Sequence, residues 1–254
     1  MNRLEGKVCV ITGAGGGMGA DAAGRFAEEG AQVVVADVDR EAAERVASEV
    51  GGLAVQVDVS DEASVEKMYA AASERFGGID VLYNNAGISP ADDASILETG
   101  LDAWERVQAV NTRGVYLCCK YGIPHLLERG GGSIINTASF VAVMGAATSQ
   151  VSYTASKGGV LTLSRELGVE FARRGIRVNA LCPGPVNTPL LQELYANDPE
   201  QAERRLVHVP MGRFAEAREI AGAVLFLASD DSSYVNASTF MVDGGLSGAY
   251  VTPE

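Results

Sequence analysis

Short, wholly apolar runs alternate along the chain with longer stretches whose apolar residues recur at helical spacing. Runs that are apolar throughout are typical of strands buried on both faces of a parallel sheet, and the longer stretches are typical of the helices that cover it. The predicted strands are Val8–Ile11, Gln32–Ala36, Leu53–Val57, Val81–Tyr83, Ser133–Thr137, Arg177–Cys182 and Thr239–Val242. The predicted helices are Ala20–Glu29, Glu41–Val50, Glu62–Phe76, Asp102–Glu128 and Tyr153–Arg174. This order predicts a single α/β domain over residues 1–254.

The stretch from Pro183 to Gly212 interrupts this alternation. It contains Pro183, Pro185, Pro189 and Pro210, and only Leu190–Ala196 and Glu200–Leu206 have a helical pattern. Long insertions at the carboxyl edge of a sheet are usually binding lids or disordered segments. We favour a substrate lid at about residues 185–212, and we expect residues 187–206 to close over bound ligands.

The charge balance is strongly acidic, with a formal net charge of −13. Nucleic acids and anionic membranes are bound through basic patches, so neither is an expected partner. No run of about 18 apolar residues is present to cross a membrane, and the first residues lack the apolar core of a signal peptide. We therefore expect a cytoplasmic protein.

The cysteines and histidines indicate neither a disulfide nor a metal site. The four cysteines have no CxxC spacing and lie in apolar runs, where buried free thiols are usual. The two histidines, His125 and His208, are far apart in the sequence. We expect free thiols and no structural metal.

Tyr153 and Lys157 are four residues apart in a predicted helix, so their side chains share one face. An ammonium beside a phenol favours the phenolate and lowers the phenol pKa from about 10. A tyrosine tuned in this way exchanges protons near neutral pH, which predicts a general acid/base.

A glycine-rich turn, Thr12–Gly19, follows the first predicted strand and opens a helix. Glycines at such a turn let the backbone approach a pyrophosphate at a helix N-terminus. The spacing of Gly13, Gly17 and Gly19 departs from the usual GxGxxG, so a purely structural turn is the alternative. Asp37 ends the second strand, where a carboxylate binds the adenosine ribose and repels a 2′-phosphate. The expected cofactor is therefore NAD(H) in preference to NADP(H).

Further motifs follow in order along the chain. They are Asp58-Val59, Asn84–Gly87, Asn111, Ser139, Arg177–Asn179, Pro183-Gly184 and Asp243–Gly245. With the glycine turn, Tyr153 and Lys157, they make the sequence resemble the classical short-chain dehydrogenases/reductases over essentially its whole length. The resemblance implies a Rossmann-like, doubly wound parallel sheet of about seven strands, and an oxidoreductase that acts on a CH–OH group with a nicotinamide cofactor. It also implies a homotetramer, with Asp102–Glu128 and Tyr153–Arg174 at one interface.

The resemblance assigns roles to individual residues as well. Tyr153 is the expected general acid/base, Lys157 holds the nicotinamide ribose, and Ser139 stabilises the substrate oxygen. Asn111 is expected to fix a water that relays protons from Lys157. The other expected cofactor contacts are Gly13, Gly17, Met18, Gly19, Asp37, Val38, Asp58, Val59, Asn85, Ala86, Gly87, Pro183, Gly184, Val186 and Thr188.

The expected substrate is a small secondary alcohol or ketone. Its pocket is expected to be lined by Ile88, Ser89, Phe140, Val141, Met144, Gln150, Val186, Leu190 and Leu191. Because this set is mostly apolar and lacks arginine and lysine, it favours a fairly hydrophobic, neutral substrate. A 3-oxoacyl-acyl-carrier-protein reductase is the alternative, although Asp37 and the acidic charge count against it. A more remote alternative is a non-catalytic dinucleotide-sensing regulator, which would typically lack the tyrosine or the lysine.

Overall fold

The computed structural model describes residues 2–188, 191–192 and 199–249. Its strands are β1 (Val8–Thr12), β2 (Gln32–Asp37), β3 (Leu53–Gln56), β4 (Val81–Asn84), β5 (Gly132–Thr137), β6 (Ile176–Pro183), β7 (Val186–Asn187), β8 (Ala215–Glu216) and β9 (Thr239–Val242). Its α-helices are α1 (Gly17–Glu28), α2 (Arg40–Val50), α3 (Glu62–Phe76), α4 (Leu101–Val107), α5 (Gly114–Glu128), α6 (Val151–Phe171), α7 (Pro199–Leu206) and α8 (Ala217–Ala228). None of the described helices is long and apolar enough to cross a membrane.

Seven of the strands form one parallel sheet in the order β3-β2-β1-β4-β5-β6-β9. β1 and β4 are neighbours, although β2 and β3 separate them in the sequence. The connections on the two sides of this point leave in opposite directions, so a crevice opens at the carboxyl ends of β1 and β4. The predicted doubly wound α/β fold is confirmed.

The apolar core lies on both faces of the sheet. On β1, Val10 packs into the cluster of one face, while Cys9 and Ile11 pack into the cluster of the other. All three side chains are buried. Burial on both faces explains why β1 is apolar at every position from Val8 to Ile11. The four cysteines are buried free thiols, as expected.

The prediction of one continuous helix over Asp102–Glu128 is wrong. A π-helical turn, Gln108–Arg113, separates α4 from α5. Asn111, within that turn, is fully buried, and its side chain bonds to the loop after β4 and to α6. The wider turn lets one polar side chain reach partners on both sides, and such turns are frequent at functional sites.

Helix α8 is absent from the predicted elements, although two sequence signals mark it. A capping box formed by Glu216 and Glu219 begins the helix. Ile220, Val224 and Leu227 recur at helical spacing and are buried in the same cluster as residues of α1. The proline-rich stretch just before α8 hides these signals, because it suggests that irregular structure continues.

The predicted lid at residues 185–212 lies only partly within the described residues. The short strands β7 and β8 pair in parallel and tie the start of this segment to the chain before α8. Helix α7 includes the predicted helix Glu200–Leu206. The predicted helix Leu190–Ala196 falls mostly outside the described residues. Closure of the segment over ligands stays a prediction.

Two glycines of α1 offer a matched test of how closely this helix packs on the glycine turn. A Cβ at Gly19 would collide with the carbonyl oxygen of Gly13 and lie 2.9 Å from the Cα of Ala14, whereas one at Gly24 would meet nothing within 4 Å. We expect Gly19→Ala to lower the midpoint of thermal unfolding, because backbone atoms block the added methyl group. Gly24→Ala should raise stability by up to about 1 kcal/mol through helix propensity. Equal midpoints for the two variants would contradict this packing.

Candidate active site

Two connected clefts open at the carboxyl edge of the sheet, and Met18 and Thr188 line both of them. The first, which we call the glycine cleft, is lined by Gly13, Gly16, Gly17, Asp37, Val38, Val57, Asp58, Val59, Ser60, Asn85, Ala86, Gly87, Ile88, Arg106 and Val110. The second, which we call the tyrosine cleft, is lined by Ser89, Thr137, Ala138, Ser139, Phe140, Gln150, Tyr153, Pro183, Gly184, Pro185, Val186, Leu191 and Arg205. The crevice expected from the sheet order is therefore the site where most of the predicted residues meet.

The glycine turn brings bare backbone to the wall of the glycine cleft. Gly13 and Gly17 have positive φ angles of +64° and +54°, which favour glycine. A Cβ at Gly13 would lie 2.8 Å from the Cα of Ala86, whereas one at Gly16 would meet nothing within 4 Å. Gly16 is the N-cap of α1, and as a glycine it has no side chain to cap the first N–H groups of the helix. The N-terminus of α1 therefore opens onto the cleft, an arrangement suited to a phosphate.

Gly19 lines neither cleft, and its predicted role as a cofactor contact stays a prediction. It is buried, and the space beside it is filled by the Gly13 carbonyl and the Asn85 amide. Asn85 donates from Nδ2 to the carbonyl oxygens of Thr12 and Gly13 at 3.1 and 3.0 Å. Its own N–H donates to Thr12 Oγ1 at 3.1 Å. Asn85 thereby ties the end of β4 to the turn after β1.

Asp37 ends β2 and lines the glycine cleft. Its Oδ2 accepts from the N–H of Gly15 at 2.8 Å, and its Oδ1 accepts from the main chain two residues later at 3.0 Å. Each oxygen of a carboxylate accepts more than one hydrogen bond, so Asp37 still has capacity for ribose hydroxyls. Arg40 begins α2 and pairs with Glu44 at 2.7 Å. Arg45 was not expected near the turn, and it donates to the Gly15 carbonyl at 2.8 Å.

Ser139 and Tyr153 lie in the wall of the tyrosine cleft. Ser139 follows β5, and its Oγ accepts from the N–H of Val141 at 3.4 Å. Burial raises the pKa of Tyr153, and a hydrogen bond with Ser139 opposes part of that rise. The expectation of a lowered Tyr153 pKa is therefore wrong for the protein alone, because desolvation of the phenolate outweighs the favourable contacts.

Lys157 lies one turn beyond Tyr153 on α6 and is buried. Its Nζ donates to the carbonyl oxygen of Thr137 at 2.7 Å and lies 5.6 Å from the centre of the Tyr153 ring. Burial lowers the pKa of Lys157 to about 8, so its side-chain amine is mostly in the charged ammonium form at pH 7.

Asn111 lies beside Lys157 and connects two parts of the site. Its Oδ1 accepts from the N–H of Ile88 at 2.8 Å, and its Nδ2 donates to the Ile88 carbonyl at 2.9 Å and to Ser156 Oγ at 3.1 Å. A Cβ atom placed on Gly87 would lie 3.3 Å from Asn111 Oδ1 and 3.3 Å from Lys157 Nζ. The two polar groups therefore approach the same point beside Gly87. The side chain therefore joins the loop after β4 to α6. Its role in holding a relay water stays a prediction.

The predicted substrate contacts divide between the two clefts and their surroundings. Those that line the tyrosine cleft are Ser89, Phe140, Gln150, Val186 and Leu191. Ile88 lines the glycine cleft instead. Val141 is buried and Met144 is exposed, and neither lines a cleft, so their contacts with substrate stay predictions. Residues 140–142 form a 3₁₀ turn, which puts Phe140 on the cleft and Val141 in the interior. Leu190 lies outside the described residues.

Arg205 lines the tyrosine cleft, so the expectation that this lining lacks a basic residue is wrong. Arg205 belongs to α7, and the sequence of that segment does not reveal which side of the helix faces the cleft. Ser89, Gln150 and Thr188 add further polar groups to the same lining. The lining is mostly apolar, as expected, but it includes several polar groups and one basic residue.

Similarity to known proteins extends over nearly the whole chain. A family model described as enoyl-(acyl carrier protein) reductase matches residues 13–247. Meso-2,3-butanediol dehydrogenase of Serratia marcescens is 42% identical over 255 residues, which cover 99% of each chain. A 3-oxoacyl-[acyl-carrier-protein] reductase of Thermotoga maritima is 40% identical over 250 residues, which cover 96% of this chain and 99% of that protein. A solved structure of levodione reductase aligns with a TM-score of 0.92 at 40% identity, and the alignment covers 97% of this chain and 100% of that one.

The sheet order, the glycine turn at the reversal of that order and the shared cleft of Ser139 and Tyr153 agree with these similarities. The relatives are dehydrogenases and reductases by name. The chain therefore belongs to the short-chain dehydrogenase/reductase family, whose members are oxidoreductases that use a nicotinamide cofactor.

Proposed function

We propose that the protein is an NAD(H)-dependent oxidoreductase that interconverts a secondary alcohol and a ketone, with Tyr153 as the general acid/base. One observation carries the proposal: Ser139 and Tyr153 share the wall of a cleft that continues into the glycine cleft. A substrate oxygen in the tyrosine cleft would meet both hydroxyls, while the reacting carbon would face the junction of the clefts at Met18 and Thr188.

The chain's own residues handle the proton, and a bound nicotinamide supplies or accepts the hydride. In ketone reduction, the Ser139 hydroxyl donates a hydrogen bond to the carbonyl oxygen and stabilises the negative charge that develops there. Tyr153, which its raised pKa keeps protonated, donates its proton to the same oxygen. The ketone thus gains a hydride at carbon and a proton at oxygen. Alcohol oxidation reverses each step and requires the Tyr153 phenolate.

Lys157 and Asn111 support this proton transfer in the proposal. Lys157 is still mainly charged at pH 7, because its pKa is about 8. Its ammonium would stabilise the phenolate left by proton transfer and would bond the nicotinamide ribose. Asn111 lies next to Lys157 and would hold a water through which the proton is exchanged with solvent. The positions of both residues support these roles, and the roles themselves come from the family resemblance.

The surroundings of Asp37 support a preference for NAD(H) over NADP(H). The carboxylate can accept the ribose hydroxyls and would repel a 2′-phosphate. Arg106, which lines the same cleft, bonds both carboxylate oxygens of Asp92 at 2.7 and 2.8 Å. Arg40 pairs with Glu44 at 2.7 Å. Both arginines would have to give up a carboxylate partner before they could neutralise a 2′-phosphate.

The polar side chains in the otherwise mostly apolar tyrosine cleft support a small substrate that carries a second oxygen. Ser89 and Gln150 line this cleft together with Tyr153, and they would bond that oxygen. Two relatives are named after substrates of this kind, a butanediol and levodione. The proposed substrate class is therefore a small hydroxyketone, diol or diketone.

A 3-oxoacyl-acyl-carrier-protein reductase is the second candidate, because a relative of that name is 40% identical. The net charge of −13 counts against it, since such an enzyme must attract an acidic carrier protein. A panel of diols, simple ketones and a 3-oxoacyl thioester, each with NAD(H) and NADP(H), would distinguish the two. A protein that bound NADH and converted none of them would instead be a dinucleotide-sensing regulator.

We also propose that the protein is a homotetramer, as the family resemblance implies. Tyr116 on α5 and Val169 on α6 are apolar side chains with exposed fractions of 50% and 73%. The resemblance places these two helices at one interface. Covering such residues would remove apolar surface from water, which favours association.

Replacing the proton donor gives the first test of the reaction. Tyr153→Phe should reduce kcat by about 10²–10⁴, the usual effect of losing a general acid/base. NADH affinity, measured by fluorescence titration, should stay close to that of the parent. Tyr234→Phe is the matched control, because Tyr234 is fully exposed and lies outside both clefts; its kcat should equal the parent's. A Tyr153→Phe enzyme with half of the parental kcat would refute the assignment.

The cofactor preference is tested at Asp37. Asp37→Ala should weaken NAD(H) binding by roughly 10- to 100-fold, because a charged hydrogen-bond acceptor is lost. It should also narrow the preference of the enzyme for NAD(H) over NADP(H), since the repulsion of the 2′-phosphate disappears. Asp39→Ala is the control. Asp39 is the N-cap of α2, and its Oδ1 accepts from the N–H of Ala42 at 3.1 Å. Its loss should leave the preference for NAD(H) over NADP(H) unchanged. A parent enzyme that prefers NADPH would contradict the proposal.

The buried ammonium of Lys157 should be visible in the pH dependence of stability. Its folded pKa of about 8 is below the ordinary lysine pKa of 10.5, so the unfolded chain binds more protons between these two pH values. Stability therefore rises with pH across that window. Lys157→Met should lack this rise, be more stable than the parent at pH 7 by up to about 3 kcal/mol, and lose turnover. Urea unfolding of both proteins at pH 7 and pH 10 measures the difference. If the difference in unfolding free energy between the two proteins were the same at both pH values, Lys157 would not titrate in this window.

A further inference from the structure

The helix that carries Tyr153 and Lys157 is capped by a residue far away in the sequence. The N-cap residue of α6, Gln150, makes no side-chain cap bond. Instead, the carboxylate of Asp93 accepts from the N–H of Ser152 at 2.9 Å through Oδ1 and from the N–H of Tyr153 at 2.7 Å through Oδ2. A carboxylate at this end also interacts favourably with the helix dipole. The cap of the catalytic helix is thus supplied by the loop after β4.

Asp93 is itself held in place. It is buried, with 6% of its surface exposed, and its own N–H donates to the Pro90 carbonyl at 3.1 Å. The next N–H, of Ala94, donates to Thr99 Oγ1 at 2.9 Å, and the carbonyl of Ala94 accepts from Val151, the first residue of α6, at 3.3 Å. The loop and the first turn of α6 therefore form one hydrogen-bonded unit.

The same loop reaches both clefts. It begins with Ile88, which lines the glycine cleft, and Ser89, which lines the tyrosine cleft. Asp93 bonds the main-chain N–H of Tyr153 itself, so a shift of this contact would move the phenol relative to Ser139. General acid catalysis requires the donor within hydrogen-bond reach of the substrate oxygen, and small displacements of reacting groups are costly.

We propose that Asp93 is a positioning residue for the reaction: its carboxylate fixes the first turn of α6 and thereby the place of Tyr153 in the tyrosine cleft. This inference rests on the proposed function. Asp93 lines neither cleft, so it acts through Tyr153 and not on the substrate. It differs in this respect from Asp39 and Asp61, which cap the helices that follow them directly in the sequence.

The test compares Asp93→Ala, Asp93→Asn and the control Asp61→Ala. Asp61 caps α3 through a 2.9 Å bond from the N–H of Ser64 to Oδ1, so the control also loses a helix-capping carboxylate but leaves α6 untouched. The probes are NAD⁺ with meso-2,3-butanediol for turnover, NADH fluorescence for cofactor affinity, and amide hydrogen exchange at Ser152 and Tyr153. If the parent does not oxidise meso-2,3-butanediol, turnover is measured with the fastest substrate of the panel proposed above.

We expect Asp93→Ala to lower kcat on the order of 10- to 100-fold, with little change in KM or in NADH affinity, and to speed exchange of the two amides. Asp93→Asn keeps one acceptor oxygen, so it should lie between the parent and the alanine variant; it also provides the test if the alanine variant fails to fold. Asp61→Ala should lower thermal stability without changing kcat.

Parental kcat in a folded Asp93→Ala enzyme would overturn the inference. So would an equal loss of kcat in Asp61→Ala, or a loss of NADH affinity as large as the loss of kcat, since either would indicate general loosening. A parent that converts no substrate of the panel would refute the proposed function separately. In that case unchanged amide exchange at Ser152 and Tyr153 in the Asp93 variants would still refute the cap, and faster exchange confined to these amides would support it.

Discussion

The arrangement of the site depends on one constraint, the reversal of strand order between β1 and β4. Neighbouring parallel strands whose connections diverge leave a crevice at their carboxyl ends, and the main-chain groups that border it lack strand partners. Here Asn85 supplies the missing bonds, since its Nδ2 donates to the carbonyls of Thr12 and Gly13. The glycine turn can fold back against this amide because Gly13 and Gly19 have no Cβ. The turn therefore stays open for a ligand while the carbonyls of Thr12 and Gly13 are hydrogen-bonded.

Behind the crevice, polar side chains link the sheet to α6 through the interior. Asn84 on β4 donates to Asn136 on β5 at 2.8 Å, and Asn136 donates to Ser164 on α6 at 3.0 Å. Buried polar groups are costly when they lack partners and specific when they have them. These bonds fix how α6 lies across the sheet, and the bond from Lys157 to the Thr137 carbonyl fixes it again at the active-site end. Tyr153 is thus placed by contacts along most of the helix.

The fold could be predicted almost completely from local patterns. A strand such as β1, which is buried on both faces, is apolar from Val8 to Ile11. A helix such as α3 begins at an Asp cap and ends at a glycine. Signals of this kind predict most elements from the local sequence. The discontinuity at Asn111 could not be predicted, because a π-helical turn has no distinctive local composition. Its cause is tertiary: the buried amide satisfies both Ile88 and Ser156. Helix α8 was predictable in principle from its capping box, and only its irregular surroundings conceal it.

Motif spacing predicted which segments come together, since the ends of parallel strands must meet at one edge. It could not predict which side chains line the clefts when their neighbours come from distant segments. Val141 and Met144 follow a strand end, yet a 3₁₀ turn directs only Phe140 into the cleft. Arg205 belongs to the tyrosine cleft through α7, and Asp93 reaches the catalytic helix from a loop some sixty residues earlier. Neither contact follows from periodicity, because each depends on how two loops pack at the same edge.

The electrostatics of the catalytic pair show most clearly what spacing alone leaves open. Sequence spacing places Lys157 beside Tyr153 and suggests a phenol that ionises easily. In the protein alone, burial instead raises the Tyr153 pKa and lowers that of Lys157 to about 8, while the ammonium bonds to the Thr137 carbonyl. Desolvation acts on both groups and outweighs an attraction across 5.6 Å. A protonated phenol would suit the proposed reduction of a ketone, which consumes a proton at this position. The proposed oxidation of an alcohol would instead need the phenolate, which burial disfavours.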